Sequence, residues 1–187
     1  MSGNILSECL SAFRVSAWRL ESLAAYSDPD EDEQIRAWRD GQPRPERSVR
    51  TDAYLRRVAS DVLAGRDRKR IRVLDEPPGE YARWELTGLA ENAVAGEETW
   101  VTIRRSGTSV LVPALAESPL DFWLFDAGTE DERAVLMEYD TAGAYVTSHL
   151  ATAVDHRWYW SLWKAAAVNS VPLADYLARN RQATAAA

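Results

Sequence analysis

One hexapeptide constrains this chain more than any other stretch: Asp121-Phe122-Trp123-Leu124-Phe125-Asp126. Four bulky apolar residues in a row, three of them aromatic, stand between two aspartates. A short apolar run bounded by turn signals suits a strand covered on both faces. The two aspartates are five positions apart, so on a strand they face opposite sides of the sheet. At most one of them serves any single groove. Asp126 leads into a turn and caps it, which leaves Asp121 as the candidate for a site.

The flanking sequence supplies layers to cover such a strand. Ile5, Leu6, Cys9, Leu10 and Phe13 recur at helical spacing. Phe13 to Glu21 alternates as a strand, with continuation of the first helix as the alternative. A charged helix from Asp30 to Asp40 places Ile35 and Trp38 inward, and Gly41 closes it. Thr51 is placed to cap a helix over 52–64, and Gly65 ends it at the usual position. The basic loop Arg66-Asp67-Arg68-Lys69-Arg70 then precedes a strand at Ile71–Leu74. Helix, glycine loop and apolar strand in succession form a unit of an α/β fold. Residues 79–93 read as a helix, Thr99–Ile103 as a strand, and Val110–Val112 as a short extended piece. After the hexapeptide, Ala134–Tyr139 and Ala144–Ser148 flank the turn Asp140-Thr141-Ala142-Gly143 as a hairpin. A Trp-rich helix follows over 153–168, and one further turn at 174–177. The expected architecture is α/β, or α+β: a single mixed sheet flanked by helices over residues 1–178, with a frayed tail at 179–187.

The 187 residues suffice for one domain with a substantial core. Eight Trp suit that core or a ligand-lined surface. Net charge is −7, which argues against general nucleic-acid binding. Residues 36–72 nevertheless hold twelve Arg and Lys against five acids. Such a patch reads first as a solvated helix face and loop, and second as a surface for an acidic partner or phosphate. Cys9 is the only cysteine, so neither an internal disulfide nor a Cys-rich zinc site is available, and no cofactor is implied. The N-terminal stretch shows no basic and apolar signal pattern, and no apolar run reaches membrane-spanning length. A cytoplasmic protein is expected. His149 and His156 are seven apart, which is not the spacing of a helical zinc pair; both read as surface residues. The acids in 126–132 lack the alternating ligands of an EF-hand loop.

Two charged pairs stand out. Arg19 and Glu21 are two apart and share a face if their segment is a strand. Arg83 and Glu85 share a face only if 81–85 is extended; on a helix they diverge by about 200°.

Several blocks in order resemble an actinobacterial family of about this length whose activity is not established. They are Ser16–Glu21 with Tyr26, Gly65-Arg66 before Ile71-Arg72-Val73, and Glu76-Pro77 with Tyr81–Glu85. Asn92 with Ala95-Gly96-Glu97 follows, then the hexapeptide, Gly143, Trp163 with Ala165, and Tyr176. The segment 113–120 is longer than in that family. Its members are often encoded beside Xre-type helix-turn-helix regulators. The order of elements is also similar to one half of the phospholipase-D-like fold. That reaction needs a His with a Lys two residues on. Here Ala151 and Trp158 occupy those positions, and the only lysines are Lys69 and Lys164, so phosphodiester hydrolysis by that route is excluded.

The resemblance implies a non-catalytic regulatory or ligand-sensing protein that acts with a helix-turn-helix regulator, without touching DNA or membrane itself. A small anionic ligand and a homodimer are further expectations. The alternative is an enzyme of specialised metabolism that reuses the groove, with Arg19 and Arg83 holding an anion and Glu21, Glu85 or Asp121 moving a proton. The candidate ligand-binding residues are Arg19, Glu21, Arg83, Glu85, Asn92, Glu97 and Asp121.

Overall fold

The computed structural model describes residues 5–104 and 120–185. The expected extended piece at 110–112 and most of the long 113–120 segment lie outside them. In chain order the elements are α1 (Ile5–Ala12), β1 (Ser16–Glu21), α2 (Pro29–Arg39), α3 (Ala53–Leu63), β2 (Asp67–Leu74), α4 (Glu80–Val94) and β3 (Glu98–Ile103). Then come β4 (Asp121–Phe125), β5 (Arg133–Tyr139), β6 (Tyr145–Leu150), α5 (Ala153–Val168), β7 (Val171–Pro172) and α6 (Leu173–Ala185). Seven strands form one mixed sheet in the order β6-β5-β4-β1-β2-β3-β7. β1, β2 and β3 run parallel, and the remaining neighbours pair antiparallel. This is the single mixed sheet flanked by helices that the pattern predicts.

Period-2 alternation divides the sheet into two unlike faces. On one, Leu20, Ile71, Phe122, Leu124 and Ala134 meet Tyr159, Leu162, Trp163 and Ala166 of α5. Trp18 extends this layer and lies 5.4 Å from both Trp160 and Trp163. Each fully buried large side chain there contributes about 1.5–3 kcal/mol. The other face is broken into apolar ends. α1 covers Ala17, Trp123, Phe125 and Val135 with Cys9 and Phe13. α4 and α6 cover Leu74 and Val101 with Leu86, Leu89, Leu173 and Tyr176. Between those ends the sheet face is polar.

Three boundaries differ from the sequence reading, each for a physical reason. Asp52, not Thr51, caps α3: its carboxylate accepts from Leu55 N at 3.0 Å, while the Thr51 hydroxyl closes the preceding turn on Ser48. α6 runs to Ala185 and takes in most of the tail expected to fray. The largest difference is β2. It starts at Asp67, so the basic segment expected as a loop is strand. Arg68, Arg70 and Arg72 are 1%, 4% and 0% exposed rather than solvated. They alternate with Lys69, Ile71 and Val73, so one side of β2 carries three successive guanidinium groups before Leu74 ends it.

The hexapeptide forms β4, buried at all five strand positions between β5 and β1. Its two aspartates clamp β1 at both ends. Asp126, in the left-handed region at φ 51°, accepts from the backbone N–H of Arg14, Val15 and Ser16 at 2.8, 2.7 and 3.3 Å. Asp121 accepts from Ser22 N at 2.8 Å. Asp126 therefore caps the start of its neighbouring strand rather than only its own turn. A hydrogen bond to a charged group contributes about 1.5–3 kcal/mol, and three N–H groups that share one carboxylate oxygen do not add in full. Asp126→Ala is expected to lower unfolding free energy by about 2–4 kcal/mol in urea titration, and Asp126→Asn by clearly less, because an amide oxygen still accepts.

Candidate functional site

The polar face lines an open-mouthed cavity of about 460 Å³. β1 and β2 form its floor with Arg19, Glu21 and Arg70. α4 forms a wall with Tyr81, Trp84, Glu85, Gly88 and Asn92. The α2–α3 connection lowers Arg44 and Arg47 against it, and α3 adds Tyr54. Tyr26 and Glu31 close it from the β1–α2 region, with Tyr139 and Tyr145 from the β5–β6 hairpin.

The floor is an ion-pair chain. One oxygen of Glu21 takes Arg19 at 3.0 Å and Arg70 at 2.6 Å. Arg70 reaches on to Glu97 at 2.9 Å and donates to the Tyr54 hydroxyl at 2.7 Å. Glu97 also accepts from Tyr54 at 2.7 Å and from Asn92 at 3.1 Å. Beside this chain, Arg72 meets Glu85 at 2.7 Å. Arg68 faces Asp61 at 3.6 Å. On the wall, Arg44 and Arg47 share Glu91 at 2.7 and 2.9 Å. Arg44 lies over Trp84 at 5.0 Å, and Gly88 leaves room for it. A Cβ at Gly88 would stand 2.5 Å from the Arg44 guanidinium.

An aromatic belt runs around the opening. Ring centroids are 6.1 Å apart from Tyr145 to Tyr139, 5.3 Å from Tyr139 to Tyr26, 5.8 Å from Tyr26 to Tyr81 and 5.7 Å from Tyr81 to Trp84. The rim is a backbone clasp: Ser27 N donates to Gly143 O at 3.0 Å. Gly143 has φ 85°, and a Cβ there would lie 2.7 Å from Ala25 O, so only glycine lets the hairpin close on this loop.

Burial and pairing pull the carboxyl groups apart. Burial alone would raise Glu21, but Arg19, then Arg70 and Arg72, outweigh it and bring it down to about 2. Burial raises Glu85, Arg72 opposes, and the charge on Glu21 adds to the rise; the result is about 7. Burial raises Glu31 and Asp121 as well. Glu97 is held below the ordinary range because Arg70 overcomes burial.

The structure brings Arg19, Glu21, Glu85 and Asn92 to the cavity. Glu97 stands behind them as partner of Arg70 and Asn92. Asp121 lies behind Tyr26, whose hydroxyl donates to it at 2.5 Å, so its oxygens are occupied by Tyr26 and Ser22. Arg83 does not join. The segment 81–85 is helix, and Arg83 sits on its exposed side. Arg72, not Arg83, pairs with Glu85, and Arg70 lines the cavity floor; sequence reasoning missed both, together with Arg44, Arg47, Tyr54 and Tyr139. The signal for the first two was present as the alternation Arg68, Arg70, Arg72 through an increasingly apolar run. Neither histidine lines the cavity: His156 pairs with Glu132 at 2.7 Å, and His149 approaches Glu138 at 3.5 Å. Among the described residues no group of acids, Cys and His is placed to hold a metal ion, and no helix is long and apolar enough to cross a membrane.

The family model for a domain of unknown function, DUF6879, matches residues 5–178, and the chain belongs to that family. No curated protein and no solved structure matches it.

Opposite pKa shifts give stability a maximum in pH. Unfolded, Glu21 and Glu85 titrate near 4.5. Glu21 has a lowered folded pKa, so its contribution is present above about 4.5 and is lost as pH falls toward 2. Glu85 has a raised folded pKa, so folding is favoured by its proton below about 4.5 and that advantage is lost as pH rises through 7. Thermal unfolding is expected to peak near about pH 5 and to decline toward neutrality. In Glu85→Gln the decline is expected to shrink.

Proposed function

We propose that the protein is a non-catalytic, ligand-sensing regulator that acts with a helix-turn-helix transcription regulator in the cytoplasm. The observation that carries this reading is the cavity: open at one side, aromatic-belted, and floored by buried charges that neutralise one another. Its volume of about 460 Å³ falls in the range that holds a small organic molecule. The buried arginines are spent on carboxylates, which shapes a recognition surface rather than a free nucleophile–base pair. Cys9, His149 and His156 do not line it. The regulator as partner, the actinobacterial setting and the relation to a phospholipase-D-like half rest on the family resemblance alone.

One observation favours a second reading, an enzyme of specialised metabolism. A carboxyl raised to about 7 suits proton transfer at neutral pH, and Glu85 lines the cavity. Arg19 and Glu21 would then position the substrate.

Affinity purification of the tagged protein from its native cells tests the sensing reading. Mass spectrometry is expected to recover a helix-turn-helix regulator, and native mass spectrometry a small-molecule adduct. Repeated recovery of no regulator removes the partner. Absence of any adduct, with no thermal shift across a broad metabolite panel, removes ligand sensing.

A further inference from the structure

The cations and acids around the cavity are not evenly committed. Arg19, Arg44, Arg47 and Arg70 each have a carboxylate within 3.0 Å. The acids are not matched in return. Among the described residues Glu31 has no cation within salt-bridge distance; its carboxylate accepts from the Tyr81 hydroxyl at 3.0 Å. Glu21 takes both of its arginines on Oε1, and its other oxygen is buried without a partner, on a residue only 2% exposed. A buried acceptor of this kind calls for a donor that the protein does not supply, just as the buried Arg19 Nε, Arg44 Nε and Trp84 Nε1 of the same cavity call for an acceptor; Glu31, with no cation among the described residues, tips the balance toward a positively charged ligand. The rings of Tyr26, Tyr81 and Tyr139 stand beside these carboxylates, and aromatic faces attract cations.

We propose that the cavity binds a protonated amine carried on a ring-bodied small molecule, its ammonium group facing Glu31 and the free oxygen of Glu21 against Tyr26 and Tyr81. This names the ligand class for the sensing site and rests on that reading. It replaces the anion expected from Arg19 and Arg83, because Arg83 is outside the cavity and the arginines inside it are already paired. An N–H donor is required rather than a quaternary ammonium, since the unpartnered Glu21 oxygen needs a hydrogen. The aromatic belt accommodates the ring of the ligand by stacking or edge contact.

The pH dependence has a definite sign. Glu85 faces Arg72 and Arg70 from β2, Glu21 from β1 and Tyr81 on its own helix. A bound cation favours the ionised carboxyl, so amine binding releases protons and strengthens as pH rises through neutrality. A bound anion would show the reverse.

Two probes with the same ring and chain length separate the charge classes: tyramine and 3-(4-hydroxyphenyl)propionate. In isothermal titration tyramine is expected to bind at least tenfold more tightly than the acid, and several-fold more tightly at pH 8 than at pH 6. Glu31→Gln is expected to weaken tyramine about tenfold while the unfolding midpoint of the free protein stays within about 2 °C, since this half-buried side chain has no ion pair to lose. The proposal is overturned if the acid binds more tightly, if neither probe binds at millimolar concentration, if affinity falls with rising pH, or if Glu31→Gln leaves tyramine affinity unchanged. Binding of the acid alone removes the amine and leaves ligand sensing standing. An adduct of other chemistry in native mass spectrometry does the same, whereas no adduct and no response to any metabolite removes both.

Discussion

The rest of the molecule is arranged around a problem set by β2: three guanidinium groups on one side of one strand, all out of water. An unpaired buried charge costs several kcal/mol, so each needs a carboxylate on that same side. Arg68 draws Asp61 from α3, Arg70 draws Glu21 from β1 and Glu97 from the turn before β3, and Arg72 draws Glu85 from α4. One strand thereby fixes the position of two helices, a neighbouring strand and a turn. It also fixes register. Glu21 stands opposite Arg72 and Arg19 opposite Arg70 in the β1–β2 ladder. A slip of one residue on β2 would drive the arginines into the apolar layer under α5 and expose Ile71 and Val73 to the polar side.

The hexapeptide of β4 solves a different problem, holding β1 in place while its polar end faces the cavity. Phe122 and Leu124 enter the α5 layer; Trp123 and Phe125 enter the α1 layer. The flanking aspartates then tie both ends of β1 through its backbone. Asp121 does this from the cavity side, where its carboxylate also orients the Tyr26 hydroxyl and so one ring of the aromatic belt. A residue expected to contact a ligand acts here by positioning one that lines the cavity.

The elements with a clear period were legible from sequence. The α5 helix over 153–168, the helix at α4 and the hexapeptide strand all appear where the pattern places them, because apolar periodicity is a local signal. Charged residues gave a weaker one. Arg66 to Arg70 looks like a solvated loop when judged by composition, and only partners distant in sequence make burial possible. Glu21 and Glu97 lie 49 and 27 positions from Arg70, and no local rule announces that they meet. Arg83 failed for the converse reason: its proximity to Glu85 in sequence suggested a shared face, but helical geometry separates them. Arg44 and Arg47 come from an irregular connection, and periodicity has no purchase there.

Stability alone does not account for so much buried charge. Replacing a buried ion network with apolar residues of similar volume is often neutral or stabilising by about 1–4 kcal/mol. An apolar face would let α1 and α4 close over the sheet, as they already do at its two ends. The charges at the centre instead keep that region open and lined with groups of unequal commitment. Arg70 is saturated by two carboxylates and a phenol, while among the described residues Glu21 retains a free oxygen and Glu31 lacks a cation. Unsatisfied buried atoms cost about 1–3 kcal/mol each wherever they occur, including on Asp61 and Arg68 outside the cavity; the one on Glu21 differs because that residue lines the cavity, where a ligand can satisfy it.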